Sequence, residues 1–505
     1  MITSINTFKV NGIEGVPVTC ECEITTGVGI HLVGLADISL KETLLRTLTA
    51  MESLGYRCPG KKVIINLAPA DLRKIGCGYD LPVALAIIAA SQQEALPDLD
   101  KYVVAGELSL DGHLREIPGW LQCALVAKES GKCCILPTES AKLAARALQG
   151  EVTIYGADDL REVIDILNDG APDTTALDDV MGEEPNYPEV YDLKRNWWDE
   201  LLGHETEKRA LEIAAAGGHP ILLIGVPGSG KAEIAHALLN ILPPMTESES
   251  LEVQGVYSVA DKRIVPGLRP FRAPNYLTSL SALLGGGGYA KPGEVSLAHN
   301  GVLFFEHCAE APKLVMVALR GPLEDGHVTL MRPAGKDDFP AKFFPVFAAL
   351  PCPCGYYGEG DRCTCSPGQR QVYLARNYRT IYDSLTMQVW AHTPTASEIQ
   401  ESKRDGEPAP VVAERVRKAR EIQMKRQNKL NEELSTQSLD TIAKLDDESK
   451  EILENIITRK GLSVRAYTRI LKIARTIADL DGVEEILPHH IAEASTYRSL
   501  DRWLI

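Results

Sequence analysis

The chain has 505 residues, of which 45% are hydrophobic and 24% charged, a globular composition with material for about three domains. A formal net charge of −16 argues against a surface coated for nucleic acid and leaves only a local basic patch for such contact. No apolar run approaches the ~18 residues of a membrane span, and Met1-Ile-Thr-Ser-Ile-Asn6 is not a basic stretch followed by an apolar one, so a cytoplasmic protein with no membrane partner is expected.

In chain order, residues 1–168 alternate strand-like runs (Val18 to Thr25, Lys62 to Leu67, Val152 to Tyr155) with helical ones (Leu40 to Leu54, Leu81 to Ala90, Gly119 to Ser130), an α+β pattern. Residues 169–195 are acidic and proline-bearing, with little to bury, and read as a linker. A second domain over 196–396 carries apolar strands at Ile221 to Ile224, Val302 to Phe305 and Phe344 to Ala349 with helices between, the pattern of a parallel α/β sheet. From 397 to 505 the chain turns helical and charged, with a last helix expected after Pro488.

The most informative segment is Ile221-Leu-Leu-Ile-Gly-Val-Pro-Gly-Ser-Gly-Lys-Ala232, a strand that enters a GxxxxGK phosphate loop and leaves it as a helix over Glu233 to Leu239. Gly225, Gly228, Ser229 and Gly230 form a cradle whose backbone N–H groups face a β-phosphate, and Lys231 supplies a point charge to the β and γ oxygens. The next position normally carries a Ser or Thr hydroxyl that holds magnesium, and here it is Ala232. The loop is therefore expected to bind ATP or ADP while lacking a ligand for the metal that hydrolysis needs.

Of the twelve cysteines, Cys20, Cys22, Cys58, Cys77, Cys123, Cys133, Cys134 and Cys308 are scattered and read as small apolar side chains. Cys352, Cys354, Cys363 and Cys365 instead form two CxC pairs joined by a glycine-bearing turn, able to surround one tetrahedral zinc with four thiolates. Four sulfur donors leave no place for water, so a structural zinc is expected, against reduced thiols without metal or an iron–sulfur cluster. Arg415, Arg417, Lys418, Arg420, Lys425, Arg426 and Lys429 make a basic run that reads either as a phosphate-contacting surface or, more simply, as a solvated helix face diluted by Glu414 and Glu421. Leu284-Gly-Gly-Gly-Gly288 reads as a mobile loop.

The segments Gly203-His-Glu-Thr-Glu-Lys-Arg-Ala-Leu-Glu-Ile-Ala-Ala-Ala-Gly-Gly-His219, Arg269-Pro-Phe-Arg-Ala-Pro274, Gly293 to Phe304, Cys352-Pro-Cys-Gly355 and Tyr497-Arg-Ser-Leu-Asp-Arg502 closely resemble the magnesium-chelatase-like AAA+ proteins of the YifB/ComM subfamily, over nearly the full length. The resemblance implies a Lon-protease-like N-terminal domain, an AAA+ module and a helical lid, assembled as hexameric rings that move branched DNA. It also implies that Glu306 and His307 occupy the Asp-Glu pair that orders magnesium and polarises water, with His307 in place of the base. By the same alignment Leu350 stands where a polar Asn is expected and Ser384 where an arginine finger is expected, with Arg376 or Arg379 nearby as substitutes. Arg465 retains the lid arginine that meets the γ-phosphate. Lon-type proteolysis needs a Ser and a Lys, and in Lys74 to Asp80 and Ile117 to Cys123 the matching places hold Gly78 and Leu121, so no protease chemistry is expected. The expectation is a nucleotide-binding ring protein with a degenerate hydrolysis site, homo-oligomeric or co-assembled with an active paralogue, DNA being a possible partner. Its rivals are a working DNA translocase with rearranged catalytic groups and a magnesium-chelatase subunit.

Overall fold

The computed structural model describes residues 2–33, 38–69, 78–168, 175–180, 195–287, 290–332, 335–381, 384–498 and 501. Lys74 to Cys77, most of the acidic segment, Gly288, Tyr382, Asp383, the side chain of Arg379 and part of the Tyr497 to Arg502 motif lie outside the described residues.

The N-terminal part is built on β1 (Ile2–Asn11), β2 (Glu14–Thr25), β3 (Gly29–Val33), α1 (Ile38–Ser53), β4 (Lys62–Ala68), α2 (Asp80–Ala90), β5 (Tyr102–Val104), α3 (Trp120–Glu129), β6 (Cys133–Pro137), α4 (Thr138–Leu148), β7 (Ile154–Ala157) and α5 (Leu160–Asn168). Its seven strands form one mixed sheet in the order β3-β4-β2-β1-β5-β6-β7, antiparallel at β4-β2-β1 and parallel elsewhere. Alternation across β5 decides what covers each face: Tyr102 and Val104 join the core beneath α2, and Val103 joins the core beneath α3. The buried Leu-Pro-Val-Ala-Leu-Ala-Ile-Ile run of α2 is apolar all round because it is wedged between the sheet and α1. A short helix, α6 (Ala176–Val180), packs against α4 with Ala176 and Val180 buried, so the described piece of the acidic segment does bury apolar side chains.

The second part contains α7 (Glu205–Gly217), β8 (Ile221–Gly225), α8 (Lys231–Ile241), α9 (Glu247–Val259), β9 (Phe271–Arg272), β10 (Val302–Phe305), α10 (Lys313–Asp325), the hairpin β11 (His327–Arg332) and β12 (Gly335–Pro340), β13 (Phe344–Ala349), α11 (Pro367–Ile381) and β14 (Met387–Ala391). Its five-stranded sheet, in the order β9-β10-β13-β8-β14, is parallel throughout. The strands are buried on both faces, which is why they read as unbroken apolar runs: Ile221 and Leu223 enter one core cluster, Leu222 and Ile224 the other. Helices α12 (Ala396–Asp405), α13 (Ala409–Gln427), α14 (Thr436–Ile442), α15 (Asp447–Lys460), α16 (Val464–Leu480) and α17 (Pro488–Thr496) close the chain.

The two parts share an interface. Gly119 N–H donates to the Ser258 carbonyl at 2.9 Å, Leu121 N–H to Ser258 Oγ at 3.1 Å, and Gln122 Nε2 to the Gly255 carbonyl at 3.1 Å. Leu121 is fully buried at this seam, and Gly78 faces Ile117.

Candidate nucleotide site

The parallel sheet places this loop at the carboxyl end of β8, an interior strand between β13 and β14, where open α/β sheets bind ligands. β8 ends at Gly225 and α8 begins at Lys231, with Gly228 at φ +81° and Gly230 at φ +72°, backbone values that glycine alone adopts without strain. Lys231 folds back over the loop, its Nζ donating to the Gly225 carbonyl at 3.0 Å, the Val226 carbonyl at 2.9 Å and Ser229 Oγ at 3.4 Å. Burial is the largest influence on its ammonium and draws the pKa below the ordinary value, with Glu306 and Glu233 pulling the other way. The crown of the loop faces open space, since a Cβ on Gly228 would meet nothing within 4 Å. Its base is tight: a Cβ on Gly225 would lie 2.3 Å from Ser229 Oγ and 2.4 Å from the Ala391 carbonyl. Gly225→Ala is therefore expected to cost about 1–3 kcal/mol of stability through overpacking, and to abolish nucleotide binding because the loop must shift. Thermal unfolding and titration with a fluorescent nucleotide check both effects.

Of the other predicted positions, Glu306 lies close enough to act on the Lys231 charge, whereas Ser384 stands at the amino end of the parallel sheet, opposite the loop. Ala232 presents a methyl group on the first turn of α8. Glu306 and His307 follow β10 directly, and His307 sits at φ +55°. Its Nδ1 lies 3.0 Å from Glu310 Oε2, its Nε2 3.8 Å from Glu306 Oε1, and its ring centroid 5.5 Å from that of Tyr276. Glu310 in turn accepts a hydrogen bond from the Tyr373 hydroxyl, so the imidazole is held by a carboxylate that a phenol holds. Leu350 follows the end of β13. Ser384 precedes β14 and is half-buried, and Arg376 is exposed on α11. Arg465 is exposed on the first turn of α16.

The four clustered cysteines converge, each offering a sulfur within 4.8 Å of the others, and the Sγ of Cys352 lies 3.3 Å from that of Cys354 and 3.8 Å from that of Cys363. The backbone N–H of Tyr356 is the largest influence on Cys354 and lowers its thiol to about 6. Desolvation, with the neighbouring thiols adding to it, pushes Cys365 up to about 11. Such a set fits a cation that would ionise all four sulfurs. The cluster also abuts the phosphate loop, because Gly355, at φ +84°, packs so close that a Cβ there would lie 3.2 Å from the Pro227 ring.

The long motifs are structural couplings. Arg209 of α7 pairs with Glu493 at 2.9 Å and Glu212 at 3.0 Å, and His219 lies 2.7 Å from Glu432 and 2.8 Å from Thr476 Oγ1, fastening the helical part to the sheet. Gly217 leaves room for that histidine, whose Nε2 would be 2.1 Å from a Cβ at 217. Arg272 forks onto Glu294 at 2.7 and 2.8 Å, joining two further motifs. Arg498 donates to the Leu385 and Thr386 carbonyls and pairs with Asp501, which accepts from Gln388 of β14.

The basic run on α13 is largely consumed within the chain: Arg415 pairs with Glu212 and Glu407, Arg417 with Glu414 and Glu421, Lys418 with Glu414, and Arg426 with Asp479. Arg420 caps the Ala215 carbonyl at 2.8 Å. The solvated, self-paired face is thus the reading that the contacts favour. Gly285 and Gly286 pair antiparallel with Pro292 and Lys291, so these glycines serve a close backbone approach. Sequence reasoning missed a polar cluster beside the loop, His204, Glu207 and His392, although His204 and Glu207 lie in the first quoted motif.

Comparison with known proteins agrees with this architecture. Family models described as magnesium chelatase subunit ChlI, subunit ChlI of Mg-chelatase and magnesium chelatase subunit ChlI C-terminal match residues 198–399, 20–140 and 406–498. The chain is 38% identical over 513 residues to YifB of Escherichia coli, covering 100% of this chain and 98% of that one. It is 38% identical over 497 residues to the competence protein ComM of Haemophilus influenzae, covering 98% and 96%. It is also 34% identical over 502 residues to an uncharacterized Mycobacterium tuberculosis protein, covering 97% of each. With the sheet, the phosphate loop and near-complete coverage in hand, the chain belongs to the magnesium-chelatase-like YifB/ComM family.

Proposed function

We propose that this protein is a ComM-like AAA+ nucleotide-binding protein that holds ATP or ADP on Gly225, Gly228, Ser229, Gly230 and Lys231 and hydrolyses it at close to background rate. What carries the reading is a joint replacement in the sequence: by the family resemblance, Ala232, His307, Leu350 and Ser384 fall where a magnesium ligand, a base, a polar sensor and an arginine finger are expected. The cradle itself keeps its glycines and its lysine. The residues fit a nucleotide better than they fit magnesium, because residue 232 offers no side-chain oxygen where a hydroxyl ligand is expected. The protein acts in this reading as a nucleotide-gated ring subunit, alone or with an active paralogue, in cytoplasmic DNA handling. Residues 1–168 form a non-proteolytic Lon-like assembly domain, 169–195 a connector, 196–396 the AAA+ module and 397–505 the lid, with a structural zinc on Cys352, Cys354, Cys363 and Cys365 and with Arg465 reaching the γ-phosphate of the assembled ring.

Paired nucleotide-binding and phosphate-release assays on metal-replete protein test this. Binding with turnover near background is expected, and Lys231→Ala is expected to weaken binding about 10- to 100-fold, the worth of a charged hydrogen bond. A rate within the ~1 to 10³ s⁻¹ of ordinary enzymes would overturn it. A second reading, a working DNA-stimulated motor, draws support from His307, whose imidazole is held by Glu310 as a general base would be. Loss of such turnover in His307→Ala would favour that motor.

A further inference from the structure

Outside the phosphate-loop chemistry, the least satisfied polar cluster among the described residues lies just behind it. His204 precedes α7 and is 4% exposed, while Glu207, one turn into the helix, is fully buried. His392 reaches them from the segment after β14, 185 positions along the chain from Glu207. Glu207 Oε1 accepts the His392 backbone N–H at 2.9 Å and lies 2.8 Å from His392 Nδ1. His204 Nδ1 is 3.5 Å from the same oxygen. His204 Nδ1 and Glu207 Oε2 are buried without a hydrogen-bond partner among the described residues. Buried polar atoms left unpaired are costly, so two in one cluster ask for something between them.

We propose that His204, Glu207 and His392 form a second, three-ligand divalent-metal site, distinct from the cysteine cluster, for zinc or a neighbouring transition ion. One donor atom from each residue lies within 4.8 Å of the others, compact enough for a single ion. Two imidazoles and a carboxylate are the donor set of such ions, whereas magnesium prefers an all-oxygen shell. The surroundings are those of a ligand shell. His392 Nε2 faces Glu398 Oε1 at 3.4 Å, the carboxylate–histidine arrangement that orients metal-bound imidazoles. Glu398 is itself fixed, its Oε2 accepting from Thr395 N–H at 2.7 Å and Thr395 Oγ1 at 2.8 Å in a capping box. On the other side His204 Nε2 faces Gly230, lying 3.2 Å from where its Cβ would be, so an ion here would brace the end of the phosphate loop. Three protein ligands also leave a coordination position for water or another donor.

The alternative is a His–Glu–His cluster that shares protons and holds no ion. Full-length protein carrying Cys363→Ser and Cys365→Ser, stripped with a chelator and titrated with Zn²⁺ and then Co²⁺, separates the two. One tight equivalent is expected, with cobalt bands lacking the thiolate charge-transfer absorption. That equivalent should vanish when His204→Gln and His392→Gln are added, while circular dichroism shows the same fold. Glu398→Gln, which keeps the capping box, should weaken Co²⁺ binding about 10- to 100-fold and provides the test should the histidine variants misfold. Absence of tight metal in the cysteine variant, or affinity unmoved by Glu398→Gln, would overturn the site.

Discussion

The protein carrying Ala232→Thr, His307→Glu and Ser384→Arg together is expected to release phosphate from ATP at least about 10²-fold faster than the natural chain, a conservative share of what a restored base and arginine finger each contribute. The geometry says why the three must be combined. A carboxylate at 307 would follow Glu306 directly and face Glu310, at whose carboxylate His307 Nδ1 now lies 3.0 Å away. Without a cation, three acidic groups in that space repel one another, raise their own pKa values and distort the end of β10. The hydroxyl introduced by Ala232→Thr supplies the missing oxygen that lets a divalent ion sit among them. In the proposed ring, the guanidinium introduced by Ser384→Arg would act on the nucleotide of an adjoining subunit, so its benefit would depend on assembly. Single reversions should therefore gain little, since groups that act as a unit are strongly non-additive. The measurement is steady-state phosphate release for every single, double and triple combination at fixed protein concentration. A triple variant no faster than the natural chain, while still binding nucleotide, would mean that these positions are not what holds turnover down.

How much of this was legible beforehand depends on the range of the interaction. β10 and β13 begin and end where their apolar runs do, at Val302–Phe305 and Phe344–Ala349, because a strand buried on both faces needs no partner to announce itself. The helix read over Gly119 to Ser130 forms over Trp120–Glu129 for the same local reason, an apolar face between two turn-forming ends. β14 went unread because Thr386 and Gln388 break its apolar pattern, and their partners, Glu432 and Asp501, arrive from the helical part. The phosphate loop was readable from spacing alone, since its chemistry is a backbone turn plus one lysine. The convergence of the four cysteines was readable because they span only Cys352 to Cys365. By contrast, one of the two carboxylates that neutralise Arg415 is Glu212, 203 residues away, and the His204, Glu207 and His392 cluster exists only because α7 and the end of β14 meet in the fold. A basic run in sequence shows the acids interleaved with it, such as Glu414 and Glu421, and carries no record of distant ones such as Glu212 and Asp479.

Removing metal from the cysteine cluster is expected to open the segment over 340–370 and, through it, to weaken nucleotide binding about tenfold, a loss of ~1.4 kcal/mol. Between Cys354 and Cys363 the contacts among the described residues, apart from the thiols, lie at the surface or on rings: Arg362 stacks on Tyr356 at 4.1 Å, Arg370 on Tyr357 at 4.2 Å, and the Tyr357 ring lies 6.4 Å from that of Trp390. A structural zinc is commonly worth about 10–16 kcal/mol of apparent binding energy, far more than such contacts can replace. The consequence reaches the nucleotide because Gly355 packs on Pro227, inside the phosphate loop, and on Leu350, which follows β13. Once the four sulfurs separate, that packing no longer holds Pro227, and the N–H groups that face phosphate lose their pre-set direction. Arg362 is exposed and lies within the cluster, so it is a built-in reporter: trypsin should cut after it at least about tenfold faster in chelator-treated protein or in Cys363→Ser/Cys365→Ser. Denaturation of untreated protein should release zinc, and this double variant should release less of it. Nucleotide affinity that is unchanged while cleavage at Arg362 accelerates would sever the cluster from the loop, and release of no metal at all would end the zinc assignment.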